Sequence, residues 1–257
     1  MKNLFRQKMK NGEKTLGTFH ELGSQVAVEL LAYAGMDYVI IDEEHGPFDP
    51  QSTSQYIRAA KLAGTTPFVR IKDFERNSIL RSLDVGAMGL IIPNVKSVND
   101  VKKIIEFGKY YPLGDRGVAP TSGSQYWTQE YARNGLDYYF ETCNREQLII
   151  PQCETKEALE SIETIVNLPG VDGIFVGPYD LSTSMGKPGQ FQDKEVIEAI
   201  KHILNSTKKA EKFAIIYGID AEDAIKRFQE GYDSVTVAMD AIIFSQAVEN
   251  LVKKILK

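Results

Sequence analysis

The stretch from Tyr38 to His45, which reads Tyr-Val-Ile-Ile-Asp-Glu-Glu-His, decides how the rest of the chain is interpreted. Its first four residues are aromatic or β-branched, as in a buried strand of a parallel sheet, and charged residues follow at once. The same change recurs at Arg70, Glu154 and Asp180, each at or just past the end of another apolar run. Since all strand C-termini of a parallel α/β barrel lie at one face, these side chains are predicted to converge there.

Short apolar or β-branched runs alternate with amphipathic segments along the chain, which is the pattern of βα units around a parallel sheet. Eight such runs are present, so the predicted fold is a (β/α)₈ barrel that forms one domain over residues 1–257. The predicted strands are Leu16–Phe19, Tyr38–Asp42, Pro67–Arg70, Leu90–Pro93, Leu148–Gln152, Gly173–Val176, Phe213–Tyr217 and Ser234–Ala238. The predicted helices include Gln25–Ala34, one that opens near Pro50, one capped by Ser97, Thr155–Ile165, Lys194–Lys209, Ala221–Glu230 and Ala241–Ile255.

Composition excludes several classes of protein. The chain has a hydrophobic content of 43% and a net charge of −5, with no long run of either sign. A polyanion would be repelled, so nucleic acid is not an expected partner. No apolar stretch approaches the roughly 20 residues of a membrane span, and residues 1–10 do not resemble a signal peptide. We expect a cytoplasmic protein that binds no membrane and whose Cys143 and Cys153 are reduced.

One connection is much longer than the others. The segment Tyr110–Arg145 is rich in glycine and aromatic residues. Long connections in barrels usually carry function or contacts. We expect this segment to fold over the active face or to form a subunit contact.

The acidic cluster Asp42, Glu43 and Glu44 precedes His45 directly. Burying three carboxylates together would cost several kcal/mol unless a cation or a proton were shared among them. A positive group is therefore predicted nearby, unless the cluster is only a solvated acidic loop. His45 carries an imidazole that can exchange protons near neutral pH.

Glu154 and Asp180 follow two successive predicted strands. One carboxylate from each, completed by water and a chelating substrate, would suit Mg²⁺ or Mn²⁺. The alternative is that both acids serve the helices they precede, as a cap and as a first-turn acid. The turn that begins at Gly177 favours the first interpretation, because its backbone N–H groups can approach a substrate carboxylate closely.

Arg70 ends a predicted strand, where a guanidinium can stabilise a developing enolate. Its alternative is a surface salt bridge. His20, at the end of the first predicted strand, is interpreted as a structural or surface histidine rather than as a second functional imidazole.

Six motifs in order along nearly the whole chain resemble the HpcH/HpaI aldolases, a family of metal-dependent class II pyruvate aldolases. The motifs are Asp42-Glu43-Glu44-His45, Pro67-Phe68-Val69-Arg70, Leu83-Asp84-Val85-Gly86, Gly114-Asp115-Arg116-Gly117, Gln152-Cys153-Glu154-Thr155 and Gly177-Pro178-Tyr179-Asp180-Leu181-Ser182. Two positions depart from the family pattern. Tyr179 stands where many members carry alanine or asparagine, and Glu43 replaces a smaller or neutral residue.

The resemblance implies a metal site and a substrate site. Glu154 and Asp180 would be the metal ligands, for Mg²⁺ or Mn²⁺ with Co²⁺ as a further candidate, and no organic cofactor is expected. Gln152 would contact the substrate or a metal-bound water, Glu44 would support the site from behind, and Phe19 would form an aromatic wall. The substrate carboxylate would be received by Gly177, Pro178 and Tyr179.

The resemblance also implies an acid/base group and an oligomer. His45 would be the acid/base group, oriented by Asp42 and by Asp84 of a neighbouring subunit, and Arg70 would hold the keto oxygen. The helix Ala241–Ile255 would pack on a partner barrel in a homo-oligomer, usually a hexamer built as a trimer of dimers.

The implied reaction is reversible cleavage of a 4-hydroxy-2-oxo acid to pyruvate, or a related 2-oxo acid, and an aldehyde through an enolate. Two alternatives remain open at this point. One is a citrate-lyase-type enzyme that cleaves acyl-CoA substrates, although no basic patch for an adenine nucleotide is evident. The other is a catalytically silent barrel that acts as a binding subunit.

Overall fold

A closed barrel of eight parallel strands forms the centre of the molecule, which confirms the predicted (β/α)₈ architecture. The computed structural model describes residues 1–256. Each strand pairs with the next along the chain, and the last strand pairs back with the first. The strands are β1 Thr15–His20, β2 Tyr38–Asp42, β3 Thr66–Arg70, β4 Gly89–Ile92, β5 Leu148–Cys153, β6 Gly173–Val176, β7 Phe213–Gly218 and β8 Ser234–Met239.

Helices surround the barrel, and most begin and end close to the predicted residues. Pro50 opens α3 as its first residue, and Ser97 caps α5. The predicted helix Thr155–Ile165 is divided in two near Ser161. The helices are α1 Leu4–Lys10, α2 Gln25–Tyr33, α3 Pro50–Ala63, α4 Arg76–Asp84, α5 Val98–Gly108, α6 Glu130–Arg133, α7 Leu136–Glu146, α8 Lys156–Glu160, α9 Ile162–Val166, α10 Pro178–Ser184, α11 Lys194–Lys209, α12 Ala221–Glu230 and α13 Asp240–Ile255.

Alternation along the strands divides the core into two layers. Ile40 and Phe68 point into the barrel, whereas their neighbours Val39 and Val69 pack between the sheet and the helices. Side chains continue to alternate between inward and outward positions past the last residue of each strand. Side chains that follow an inward-facing residue by two positions therefore reach the interior at the barrel mouth.

The N-terminal helix α1, which was not predicted, closes the opposite end of the barrel. Phe5 is fully buried and makes edge-to-face contacts with Tyr38, Phe68 and Phe213, at ring-centroid distances of 5.2, 5.0 and 6.0 Å. Asn3 accepts a hydrogen bond from Arg6 and so caps the helix. These contacts place α1 against β2, β3 and β7.

The long segment Tyr110–Arg145 does not fold over the active face, so that prediction was wrong. It follows α5 rather than β4, and the connection from a helix to the next strand runs at the N-terminal end of a barrel. Its Gly123 N–H donates to the carbonyl of Asp84, and its Arg116 Nη2 lies 2.9 Å from Asp84 Oδ1. Asp84 ends α4, so both contacts lie at the end opposite the strand C-termini. A role in a subunit contact stays a prediction.

Two further expectations can be compared with the structure. Cys143 and Cys153 are both buried free thiols. Among residues 1–256, no helix combines the length and the apolar character that crossing a membrane requires.

Candidate active site

Two adjoining cavities lie at the C-terminal ends of the strands, and most of the predicted site residues line them. We call them the polar cavity, of about 420 Å³, and the aromatic cavity, of about 260 Å³. His45 and Asp180 line both. The polar cavity adds Glu44 and Glu154. The aromatic cavity adds Phe19, Arg70, Gln152, Gly177, Pro178 and Tyr179.

Arg70 is the positive group that the acidic cluster requires. Strands β2 and β3 pair Asp42 with Arg70, and their side chains form a two-pronged ion pair. Nε donates to Oδ1 at 2.8 Å and Nη2 donates to Oδ2 at 2.5 Å. Burial alone would oppose ionisation of Asp42, but the hydrogen bonds and charge of Arg70 hold its pKa below its usual value. Since Asp42 is fully buried and Arg70 nearly so, this is neither a solvated loop nor a surface salt bridge.

The ion pair changes the role expected for Asp42. Its contact with His45 is a 3.4 Å hydrogen bond to the backbone N–H, and it leaves the imidazole untouched. Both carboxylate oxygens are taken by Arg70, so Asp42 orients the guanidinium instead. The imidazole is 66% exposed, and its nearest carboxylate is Glu44, with 3.9 Å between Nε2 and Oε2. Glu44 also lies 3.3 Å from Arg70 Nη1.

Asp84 is the one predicted site residue that lies far from both cavities. Within one chain it ends α4 at the opposite end of the barrel and pairs with Arg116. Any action at an active site would have to take place in another copy of the chain.

Glu154 and Gln152 form a buried pair of oxygen donors beside Asp180. The Asn94 N–H donates to Glu154 Oε1 at 2.5 Å, and the Gln152 amide donates to Oε2. Burial raises the pKa of Glu154 to about 7, opposed by the Asn94 hydrogen bond and reinforced by Asp180 and Glu44. Gln152 Oε1 is buried and has no hydrogen-bond partner among residues 1–256. An orphaned oxygen beside crowded carboxylates fits a cation held there.

The oxygen donors do not form a complete metal shell by themselves. Among residues 1–256, no three or more His, Cys, Asp or Glu side chains are grouped as a metal site. Two carboxylates, as predicted, would therefore need oxygen ligands from water or substrate, which is usual for Mg²⁺.

The sequence left open that Glu154 and Asp180 serve only the helices they precede, and the structure answers this differently for each. Thr155 caps α8, so Glu154 lies outside that helix. Asp180 does lie in the first turn of α10. Gly177 caps α10 and packs so closely on the donor pair that a Cβ there would lie 2.8 Å from Gln152 Nε2 and 3.1 Å from Glu154 Oε2. A larger residue at this position would displace the donors.

An aromatic wall lines one side of the mouth. Arg70 Cζ lies 4.4 Å from the centre of the Phe19 ring, which is 6.2 Å from the ring of Tyr217. Tyr179 packs edge-on against Tyr217 at 6.0 Å and against Phe191 at 4.7 Å. The sequence reasoning missed Tyr217 and Phe191. Tyr217 could have been found, because it is the next inward position after Ile215 in β7.

The ends of β1 and β8 bring together two acids that the sequence reasoning also missed. Asp240 accepts from the backbone N–H of Glu21 at 2.8 Å and lies 2.7 Å from His20 Nδ1. His20 is fully buried and stacks on Phe48, so it is not a surface histidine, and its Nε2 has no hydrogen-bond partner among residues 1–256. Its interpretation as a structural histidine stays a prediction. Glu21 and Asp240 follow strands directly, so the same rule that identified Glu154 would have found them.

Known proteins resemble this chain along almost its whole length. It is 32% identical over 253 residues to 4-hydroxy-2-oxo-heptane-1,7-dioate aldolase of Shigella flexneri, covering 98% of this chain and 92% of that one. It is 28% identical over 251 residues to 2-keto-3-deoxy-L-rhamnonate aldolase of Salmonella gallinarum, with 97% and 92% covered. The crystal structure of an HpcH/HpaI aldolase/citrate lyase family protein from Burkholderia cenocepacia superposes with a TM-score of 0.91 at 29% identity, covering 99% and 100% of the two chains.

The match to a known family covers both the barrel and the residues of the candidate site. The family model of HpcH/HpaI aldolase/citrate lyase matches residues 15–247, from the first residue of β1 into α13. That range contains every residue that lines the aromatic cavity. The chain therefore belongs to the HpcH/HpaI aldolase/citrate lyase family and is a carbon–carbon lyase.

Proposed function

We propose that the protein cleaves a 4-hydroxy-2-oxo acid reversibly to pyruvate, or a related 2-oxo acid, and an aldehyde. The observation that carries this proposal is the position of Arg70, which Asp42 holds between the aromatic wall and the buried oxygen donors. A fixed positive charge at that point suits a reaction whose costly intermediate is an enolate. Both aldolase relatives are named for 2-oxo or 2-keto acids.

Glu154 and Asp180 are proposed to hold a divalent cation, Mg²⁺, Mn²⁺ or Co²⁺, with Gln152 beside them. A cation held there would supply Lewis-acid polarisation of the C2 carbonyl. No organic cofactor is proposed. The carboxylate of the 2-oxo acid binds to the backbone at Gly177, Pro178 and Tyr179. This contact orients the reacting carbons of the acid toward Arg70.

Arg70 and His45 divide the remaining chemistry. A guanidinium has five N–H groups, and Asp42 occupies one on Nε and one on Nη2. The free N–H groups of Arg70 hold the keto oxygen as it gains charge. His45 lines both cavities and is exposed enough to reach the C4 hydroxyl group through a water molecule. Through this water it removes the proton of the hydroxyl group. Glu44 lies close enough to stabilise the resulting imidazolium.

Removal of metal should abolish aldol cleavage, and restoring Mg²⁺ or Mn²⁺ should recover it. The reason is that β6 carries no lysine that could form an imine, and the lysine of the polar cavity, Lys96, lies at its exposed rim. The measurement is pyruvate release after chelation and after titration with each metal. In parallel, borohydride is added together with pyruvate, and the protein mass is determined. Full activity without metal, or a trapped adduct on a lysine, would overturn the proposed mechanism.

We also propose that the protein is a homo-oligomer, a hexamer built as a trimer of dimers. The outer face of α13 supports this, because its large apolar side chains are exposed in the single chain. They are Ile242, Ile243, Phe244, Val248, Leu251, Val252 and Ile255. Large exposed apolar side chains that are concentrated on one helix in this way are expected to be covered by another subunit. Asp84 would then act on His45 of a neighbouring copy.

Mixing two weakened variants tests the action of Asp84 across subunits. Asp84→Asn and His45→Ala should each lose activity, Asp84→Asn by roughly 10- to 100-fold as is usual when an orienting partner is removed. Co-refolded mixtures should regain activity, since some sites then combine His45 of one chain with Asp84 of another. The control mixture is His45→Ala with Arg70→Ala, whose defects lie in the same site. Recovery that is no greater than in the control would contradict the proposal.

A further inference from the structure

His20 and Asp240 lie side by side at the ends of two neighbouring strands. Strands β1 and β8 pair Phe19 with Met239, and His20 and Asp240 are the next residues after this pair. His20 is fully buried, Asp240 is 4% exposed, and His20 Nδ1 lies 2.7 Å from Asp240 Oδ2. The proposed function gives neither residue a role.

The hydrogen bond between the two side chains has one direction. Glu21 and Leu22 donate to Asp240 Oδ1 through their backbone N–H groups, at 2.8 and 3.3 Å. Oδ2 is left for His20, and because a carboxylate only accepts, Nδ1 carries the hydrogen and donates it. The other ring nitrogen, Nε2, is buried and has no hydrogen-bond partner in the part of the chain that the structure describes. The imidazole therefore acts through Nδ1 alone.

The burial of Asp240 serves the strand ends rather than the helix that it begins. Asp240 alone among the described residues of α13 is buried. Its two oxygens bind three successive residues, of which the first is His20. The carboxylate thus joins the last strand to the first, directly beyond the point where Phe19 and Met239 line the aromatic cavity.

His20 also contacts the loop that carries His45. Its ring stacks on Phe48, with 5.7 Å between the ring centres and 16° between the ring planes. Phe48 in turn packs on the residue after His45, since a Cβ at Gly46 would lie 3.3 Å from the Phe48 ring. A shift of His20 would therefore reach the loop on which the proposed acid/base group stands.

The aromatic wall beside Arg70 adjoins the same histidine. Phe19 precedes His20 in β1, and its ring centre lies 4.4 Å from Arg70 Cζ. Because side chains alternate along a strand, Phe19 points into the barrel while His20 points toward the surrounding loops and helices. Holding His20 in place therefore also holds the ring against which the guanidinium lies.

We propose that His20 and Asp240 are positioning residues whose hydrogen bond holds the aromatic wall and the His45 loop in the geometry that the reaction needs. Among residues 1–256, neither of the two lines the polar or the aromatic cavity, so they act on the substrate only through the residues that they hold. The kinetic consequence rests on the proposed function, whereas the hydrogen bond itself does not.

Two substitutions of His20 separate the hydrogen bond from the packing of the ring. His20→Asn places an amide N–H where Nδ1 stood and removes the ring, including Nε2, which has no partner to lose. His20→Phe keeps a ring against Phe48 and removes the donor to Asp240. We expect His20→Asn to stay within a few-fold of the parental kcat. His20→Phe should lose roughly tenfold or more, since misplacing reacting groups by about 1 Å can cost about 100-fold.

The opposite order of activities would overturn the proposal. If the ring only fills space, His20→Phe keeps its activity and His20→Asn loses it. The kcat for aldol cleavage is measured well below the unfolding midpoint of each variant, so that a loss of rate is not a loss of folded protein. The control is His202→Phe on α11, an exposed position that should keep the parental kcat. Equal activity of the two His20 variants would also contradict the proposal.

A second measurement needs no substrate. The chain has three histidines, so an NMR spectrum of the full-length protein with ¹⁵N-labelled histidine and Mg²⁺ contains few ring signals. The signals of His20 are those missing from His20→Asn. A hydrogen on Nδ1 that exchanges slowly with solvent supports the hydrogen bond, even if the enzyme has a reaction other than aldol cleavage. An Nδ1 without a hydrogen, or with one that exchanges as fast as that of exposed His202, would overturn the proposal.

Discussion

Arg70→Ala should lower kcat/KM for aldol cleavage by roughly 10²- to 10³-fold, about 3 to 4 kcal/mol of transition-state stabilisation. Decarboxylation of oxaloacetate should fall by a similar factor, because it passes through the same enolate. Arg70→Lys should recover only part of the loss, since an ammonium is a point charge and cannot engage Asp42 and the keto oxygen in one plane. Steady-state kinetics of both reactions provide the measurement.

The control for Arg70 must separate chemistry from folding. Arg70→Ala leaves the buried Asp42 carboxylate without its partner, which typically costs about 3 to 5 kcal/mol of stability. The double variant Arg70→Gln with Asp42→Asn removes both charges and should restore much of the thermal stability but not the activity. If either reaction remained at the parental rate in a folded Arg70 variant, the guanidinium would not stabilise the enolate.

His45→Ala should lower aldol cleavage by roughly 10²- to 10⁴-fold, the usual effect of losing an acid/base group. It should spare decarboxylation of oxaloacetate, which has no C4 hydroxyl proton to remove. The imidazole is mostly exposed and makes no side-chain hydrogen bond with the residues that the structure describes, 1–256, so stability should change little. The control is His202→Ala, an exposed histidine of α11. Equal losses in the two reactions would mean that His45 serves the enolate or the metal instead.

The barrel and the convergence of the site could be predicted from sequence because both follow from local patterns. Each buried strand is a short apolar run, and topology alone brings its last residues to one face. The choice of partner for Arg70 could not be predicted this way. Three successive acids stand at the end of β2, and only the pairing of β2 with β3 selects Asp42 while leaving Glu44 at the cavity. Glu43 instead turns outward, where Thr53 donates to it at 2.7 Å.

Other differences arise from long-range contacts. Helix α1 has only seven residues, of which Phe5 and Met9 are buried, so its local signal is weak and its stability comes from the barrel. The segment Tyr110–Arg145 was assigned to the wrong end because its length was considered without the helix that precedes it. Glu21 was missed because only His20 was considered at the end of the first strand.

Helix α1 links the order of synthesis to the lifetime of the folded chain. It is synthesised before every strand of the barrel, but it packs against Phe213 of β7 and the carbonyl of Glu146, which lies 143 positions from Asn3. It can therefore dock only after most of the barrel has assembled. Contacts that form so late are largely absent from the folding transition state, so they slow unfolding without accelerating folding. We therefore expect the rate of unfolding to depend on a seven-residue helix at the end of the barrel remote from its chemistry.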